Sequence, residues 1–289
     1  MAEPVFIFCS VNRPEMLHES VLSAVKQTIL GPILISVPGR EHVLPETLAL
    51  PQATLIISPR GLPAQRNAAL NAIKNPDTVI FFFDDDVEIE EHYAERMLMA
   101  YACNPNVALM NGTNIARGAR PGSLTRQSAR ELIAQAIASL PPAASLERSR
   151  TAYGCRMSFP GHLLGKVSFD ERLALYGYLE DSEFSLKCER FGKIVTNKLA
   201  IMAHIETAAG RVGVFRRGYS EIVNPVYIAW KHRNGNKLRA YCGAFRRTIR
   251  NGLKLHQPAA RKQLAGNLLG WGNVASGQLT PERVTELRD

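Results

Sequence analysis

A chain of 289 residues with 46% hydrophobic content can bury a full core, which excludes wholesale disorder and points to one large domain or one domain plus an appendage. Its apolar runs fall short of the roughly 18 residues that cross a bilayer, and the opening MAEPVFIFCSVNRPEM has neither the basic stretch nor the small-residue cleavage site of a signal peptide, so a cytoplasmic protein is expected. The net charge of +9 is uneven: residues 211–262 hold thirteen Lys or Arg against the single acid Glu221, a local +12 that leaves −3 for the rest.

In chain order, the apolar run VFIFCS (residues 5–10) reads as a strand, and Asn12, Arg13 and Pro14 supply the turn and helix start after it. Leu17, Val21, Leu22 and Val25 then make one apolar stripe on a helix that should end by Gly31 and Pro32. Strands are predicted over residues 33–37, 54–58, 78–83 and 107–111, with helices over 62–73 and about 91–103 between them. Residues 78–83 have too few polar positions for a wet face, so the alternation predicts a mostly parallel sheet with helices on both sides. A helix over about 126–140 should stop at Pro141 and Pro142, and from Tyr219 onward apolar and basic positions alternate at helical spacing. The five cysteines (Cys9, Cys103, Cys155, Cys188 and Cys242) form no C-x-x-C pair and read as reduced thiols rather than as a disulfide framework or a cysteine zinc site.

Asp84, Asp85 and Asp86 directly follow the apolar strand, and ligands of open α/β sheets bind at the carboxyl ends of strands. Three adjacent carboxylates repel one another, and partial burial raises that cost unless a cation or hydrogen-bond donors neutralise them. A hard divalent cation, Mn²⁺ or Mg²⁺, would do so and would bridge a diphosphate; capping of the helix near Glu91 would account for the same acids. Further on, Glu180 and Asp181 stand just before a helix carrying Phe184, Leu186 and Phe191, where a carboxylate pair either caps or faces a reacting group.

The opening FIFCSVNRPEMLHESVLSAVKQ, the segment RGLPAQRNAAL, the strand-terminal FFFDDD, and then GCRMSF, FDERL and YLEDSEFSLKCERFG occur in an order and spacing that resemble glycosyltransferase family 2. That is a large inverting family with the GT-A fold, and the resemblance covers residues 5–204. It implies a GT-A-like α/β domain over residues 1–210, with a donor half at about 1–115 and an acceptor half at about 116–210. Residues 211–289 are then a basic helical extension. The activity implied is metal-dependent transfer of a sugar from a nucleotide-sugar, a UDP-sugar by expectation, to a hydroxyl of a glycan or lipid-linked glycan in polysaccharide synthesis.

Carried over by position, the resemblance assigns Asp84 and Asp85 to the nucleotide-sugar, with Ser10, Asn12, Arg13 and Arg66 around it. Asp86 is the first choice of metal ligand, joined by Asp84 and by His204, whose imidazole would favour Mn²⁺ over Mg²⁺. Asp181 is the expected catalytic base and Glu180 the residue that orients the acceptor or the base. One departure concerns residues 35–42, ISVPGREH, which lack the acidic turn that many relatives carry there.

The basic block interleaves Arg216, Arg217, Lys231, Arg233, Lys237, Arg239, Arg246, Arg247 and Arg250 with Tyr227, Trp230, Tyr241 and Phe245. It suits peripheral docking of residues 211–262 on an anionic membrane surface, and equally a solvated basic face. A sugar nucleotidyltransferase would open on a glycine-rich phosphate loop, which FCSVNRPEM is not. A nucleic-acid-binding protein would leave the aspartates at 84, 85 and 86 unexplained, so nucleic acid is not the expected partner.

Overall fold

The computed structural model describes residues 2–116, 122–140, 146–206 and 213–289. The Pro141 and Pro142 stop and the first two residues of the basic block, 211 and 212, lie outside them. The chain divides into two compact units: residues 1–60, 65–168 and 187–210 form the first, and residues 61–64, 169–186 and 211–289 form the second.

The first unit is a mixed sheet with helices. Its strands are β1 (Glu3–Cys9), β2 (Ile33–Val37), β3 (Ala53–Ile57), β4 (Thr78–Asp84), β5 (Val87–Ile89), β6 (Val107–Asn114), β7 (Leu146–Arg148), β8 (Met157–Pro160) and β9 (Lys193–His204). They lie in the order β3-β2-β1-β4-β8-β6-β9-β5, with β7 added beside β9. The helices are α1 (Pro14–Val25), the short α2 (Pro45–Leu48), α3 (Leu62–Ala72), whose first three residues belong to the other unit, α4 (Tyr93–Cys103) and α5 (Arg126–Ala138).

The parallel expectation holds for β3, β2, β1 and β4 and for the β6–β9 pair. It fails at β8, which runs antiparallel between β4 and β6, and at β5 and β7, which run antiparallel to β9. These three strands have only three or four residues each, too few to display a period.

β1 and β4 are buried on both faces, as their unbroken apolar character requires. Phe6, Phe8, Phe81 and Phe83 stack on one face of the pair, with Phe8 and Phe83 centroids 5.7 Å apart, and Tyr93 of α4 meets Phe83 edge-on at 5.4 Å. Leu17, Val21 and Ala24 of α1 bury in the same core. The parallel register sets Cys9 opposite Asp84, so the carboxyl ends of β1 and β4 come level where the acidic run begins.

The second unit is built from α7 (Val214–Lys231), α8 (Lys237–Gly252) and α9 (Pro258–Ala275), with the first seven residues of α6 (Glu180–Cys188). α7 and α9 cross at backbone contact: a Cβ on Gly218 would sit 2.1 Å from the Gln263 carbonyl oxygen, and one on Gly266 would sit 2.1 Å from that of Phe215. Glycine at both positions lets Asn267 donate to the Gly218 carbonyl at 2.8 Å, and Asn251 donates in turn to Asn267. Among the described residues, no helix is long and apolar enough to cross a membrane.

Candidate functional site

The acidic run begins where β4 ends. Asp84 is the last residue of the strand, Asp85 and Asp86 form a two-residue turn, and β5 starts at Val87. The carboxylates do not cap the next helix: α4 starts behind His92, with β5 intervening and no side-chain cap. A third residue holds the turn. Ser20 of α1 donates its hydroxyl to the Asp85 and Val87 carbonyl oxygens at 2.8 and 3.0 Å, and accepts from the Val87 amide at 3.0 Å.

The three aspartates meet different surroundings. Asp85 is fully buried; Ser10 donates to its Oδ2, and the Arg13 guanidinium lies 2.5 Å from its Oδ1. Burial pushes its carboxyl up to about 7, against the opposing charge of Arg13 and with added repulsion from Asp86. Asp86 is also buried, between Arg13 at 3.4 Å and His204 Nε2 at 2.8 Å. Asp84 is the most open of the three, with Arg66 3.4 Å from one carboxylate oxygen and His204 3.7 Å from the other.

Around them, the loop after β1 is fixed by Gln65, whose amide donates to the carbonyl oxygens of Ser10 and Ser36 at 3.0 and 2.8 Å. Asn12 adopts a left-handed conformation at φ 60°, which asparagine tolerates better than most residues, and its amide donates to His42 Nδ1 at 3.2 Å. Arg66 is 2% exposed and lies over the Phe82 ring. Gly154 approaches that guanidinium so closely that a Cβ would fall 2.2 Å from Nη2.

The expected residues Ser10, Asn12, Arg13, Arg66, Asp84, Asp85, Asp86 and His204 therefore all lie at the carboxyl end of β1 and β4 or in contact with residues there. Cys155 joins them, although the sequence offered no reason to single it out. Ligand atoms of Asp84, Cys155 and His204 all lie within 4.8 Å of one another, while Asp86 reaches the group through His204. Burial works against protonation of His204, but the adjoining Cys155, Asp86 and Asp84 outweigh it and raise the imidazole to about 12. A second group, Glu90, Glu91 and His92, is taken up by partners: Arg96 holds Glu90 at 2.9 Å and Glu95 holds His92 at 2.7 Å.

Glu180 and Asp181 belong to the second unit. They open α6 after a loop in which Leu175, Gly177 and Leu179 all take positive φ, at 59°, 65° and 69°. Left-handed backbone at two leucines is strained. It is held by Leu62, whose amide donates to the Leu175 carbonyl oxygen, and by Asn224, whose side chain donates to the Tyr178 carbonyl oxygen. Glu180 is buried, whereas Asp181 is partly open and accepts from the Ser182 amide at 2.7 Å. Composition and periodicity gave no sign of this strain.

No protein-family model matches the chain, and no curated protein sequence matches it. Among solved structures the fold is similar to the crystal structure of GalNAc-T7 with UDP, GalNAc and Mn²⁺, at a TM-score of 0.61 and 16% identity. That alignment covers 99% of this chain and 56% of the other, so the chain spans just over half the length of its structural neighbour. The fold class is accordingly the GT-A-like α/β arrangement, with a partly antiparallel central sheet.

Proposed function

We propose that this chain is a metal-dependent glycosyltransferase that moves a sugar from a nucleotide-sugar, a UDP-sugar by preference, to an acceptor hydroxyl. One observation carries the reading: Asp84, Asp86, His204 and Cys155 converge at the carboxyl end of β4, on a fold shared with a protein solved with UDP and Mn²⁺. The donor atoms present, carboxylate oxygen and imidazole nitrogen, suit a divalent cation of the Mn²⁺ type. Bound there, such a cation supplies positive charge to the diphosphate as it departs.

The remaining work falls to the chain itself. Asp84 and His204 hold the cation, with Asp86 beside His204, and Arg66 fixes the Asp84 carboxylate from behind. Asp85, Ser10, Asn12 and Arg13 are assigned to the nucleotide, since they sit on the two hydrogen-bonded loops at the strand ends. Asp181 is the proposed base that takes the proton of the incoming hydroxyl, with Glu180 orienting the acceptor or the base. Their residue pattern and the strained loop that presents them support those roles. Membership of family 2, inversion at the anomeric carbon and a glycan or lipid-linked glycan acceptor rest on the sequence motifs.

Calorimetric titration tests the reading directly. UDP is expected to bind in the presence of Mn²⁺ and to bind at least ~10-fold more weakly after chelation. UDP binding that ignores the metal, or no UDP binding at all, contradicts it.

A feature of the second unit supports docking on an anionic membrane surface. Leu238, Phe245, Ile249 and Leu253 recur at spacings of seven, four and four along and just past α8, all exposed, and so form one apolar stripe. Arg239, Arg246 and Arg250 line one side of it, each contributing about 1 kcal/mol near an anionic leaflet. Sedimentation with anionic but not neutral liposomes, lost in Phe245→Glu, is the expected result; equal binding to both overturns it.

A further inference from the structure

We infer that Cys155 is a ligand of this same metal site, which therefore takes thiophilic divalent cations such as Zn²⁺, Co²⁺ or Cd²⁺ in preference to Mg²⁺. The inference rests on the metal site proposed above and adds to it the one sulfur donor in the cluster.

Three observations carry it. The Cys155 sulfur, an Asp84 oxygen and a His204 nitrogen lie within 4.8 Å of one another, close enough for one cation to touch all three after small rotamer changes. Cys155 is half-buried together with Asp84 and His204, packed against the core but not enclosed by it. Its backbone is also fixed: the Tyr153 amide donates to Asn111 Oδ1 at 2.8 Å, and the Arg156 carbonyl oxygen accepts from the Tyr93 hydroxyl and the Gly112 amide at 3.0 Å each. Gly154, between them, rests against the Arg66 guanidinium that also braces Asp84.

The chemistry of the donors then sets the preference. Mg²⁺ demands oxygen ligands in octahedral array, whereas one thiolate, one imidazole and one carboxylate with open positions suit zinc-like cations, and Mn²⁺ less strongly. As the sulfur–metal bond forms, the thiol proton leaves to solvent, and His204 binds through a nitrogen that has likewise given up its proton. All five cysteines are free thiols, so no disulfide withdraws Cys155 from this role.

The test is a Co²⁺ titration of the metal-stripped full chain, followed in the near ultraviolet for a thiolate-to-cobalt charge-transfer band and in the visible for the cobalt ligand-field bands. The band is expected to saturate at one equivalent in the parent protein and in Cys103→Ser and Cys242→Ser, whose thiols are exposed elsewhere. Cys155→Ser and Cys155→Ala should lose the band while Asp84 and His204 still retain Co²⁺, and should bind Zn²⁺ at least ~10-fold more weakly. Co²⁺ binding without the band in the parent protein, or a band that survives in both Cys155 variants, overturns the inference. If the band is missing while Mn²⁺ still promotes UDP binding, only the role of Cys155 falls; if neither metal nor UDP binds, the proposed function falls with it.

Discussion

Each unit buries a cluster of carboxylates, and the two clusters settle their charge in opposite ways. In the helical unit, Asp170 accepts from Lys231 at 2.6 Å and from the Tyr227 hydroxyl at 2.8 Å, while Glu183 accepts from Lys231 and His232 at 2.8 Å each. Burial alone would raise Asp170, but the hydrogen bonds from Lys231 and Tyr227 outweigh it and leave its carboxyl below the ordinary range. At the end of β4 burial wins instead, and Asp85 is driven up to about 7 despite Arg13. The first arrangement meets its acids with a lysine, a tyrosine and a histidine of its own unit. The second retains repulsion among neighbouring acids, which a further cation would relieve.

The sharpest way to break this comparison is through turnover. If Asp181 is the base, Asp181→Asn should lower kcat by about 10²- to 10⁴-fold while leaving Mn²⁺-dependent UDP affinity near that of the parent protein, as initial-rate kinetics and calorimetry would show. Unchanged kcat would remove Asp181 from that role.

Next in size is Lys231→Met. It strands Asp170 and Glu183 as buried charges without their shared cation, and should cost about 3 kcal/mol in urea unfolding. By contrast, Asp84→Asn removes one of three crowded acids. Its metal-free stability should stay within ~0.5 kcal/mol of the parent, while Mn²⁺ affinity drops at least ~10-fold. Equal destabilisation by the two substitutions would erase the distinction between a structural network and a ligand site.

A further contrast lies in the pH dependence. Because Asp85 titrates near 7 in the folded protein and near 3.8 when unfolded, the native state holds an extra proton between those values. The contribution of Asp85 to metal-free stability is therefore fully present below about 3.8 and is lost as pH rises towards 7. Asp170 has the reverse sign: its contribution is present above the ordinary carboxylate range and is lost as pH falls through its lowered native value. Asp85→Asn should flatten the metal-free slope between pH 4 and 7, measured by unfolding at several pH values; an unchanged slope contradicts the burial of Asp85 as its cause.

How far the sequence foretold this follows the range of each interaction. β1, α1, β2, α3, β4 and α4 were legible because long apolar runs and helical stripes are local signals. β5, β7 and β8 were not, since three or four residues carry no period and only β4, β6 and β9 beside them make them strands. The run of Asp84, Asp85 and Asp86 announced itself by adjacency. Ser20 and Gln65, which pin the turn and the loop, look in sequence like ordinary helix polar residues. Cys155 read as one more scattered thiol, because its meeting with Asp84 and His204 depends on β8 running between β4 and β6.

Anomalous scattering from a crystal soaked with Mn²⁺ and UDP tests the central claim most directly. The account predicts a manganese peak bonded to Asp84 and His204 at the end of β4, with the diphosphate against it. A diphosphate bound without manganese there, or no density for either, would contradict it.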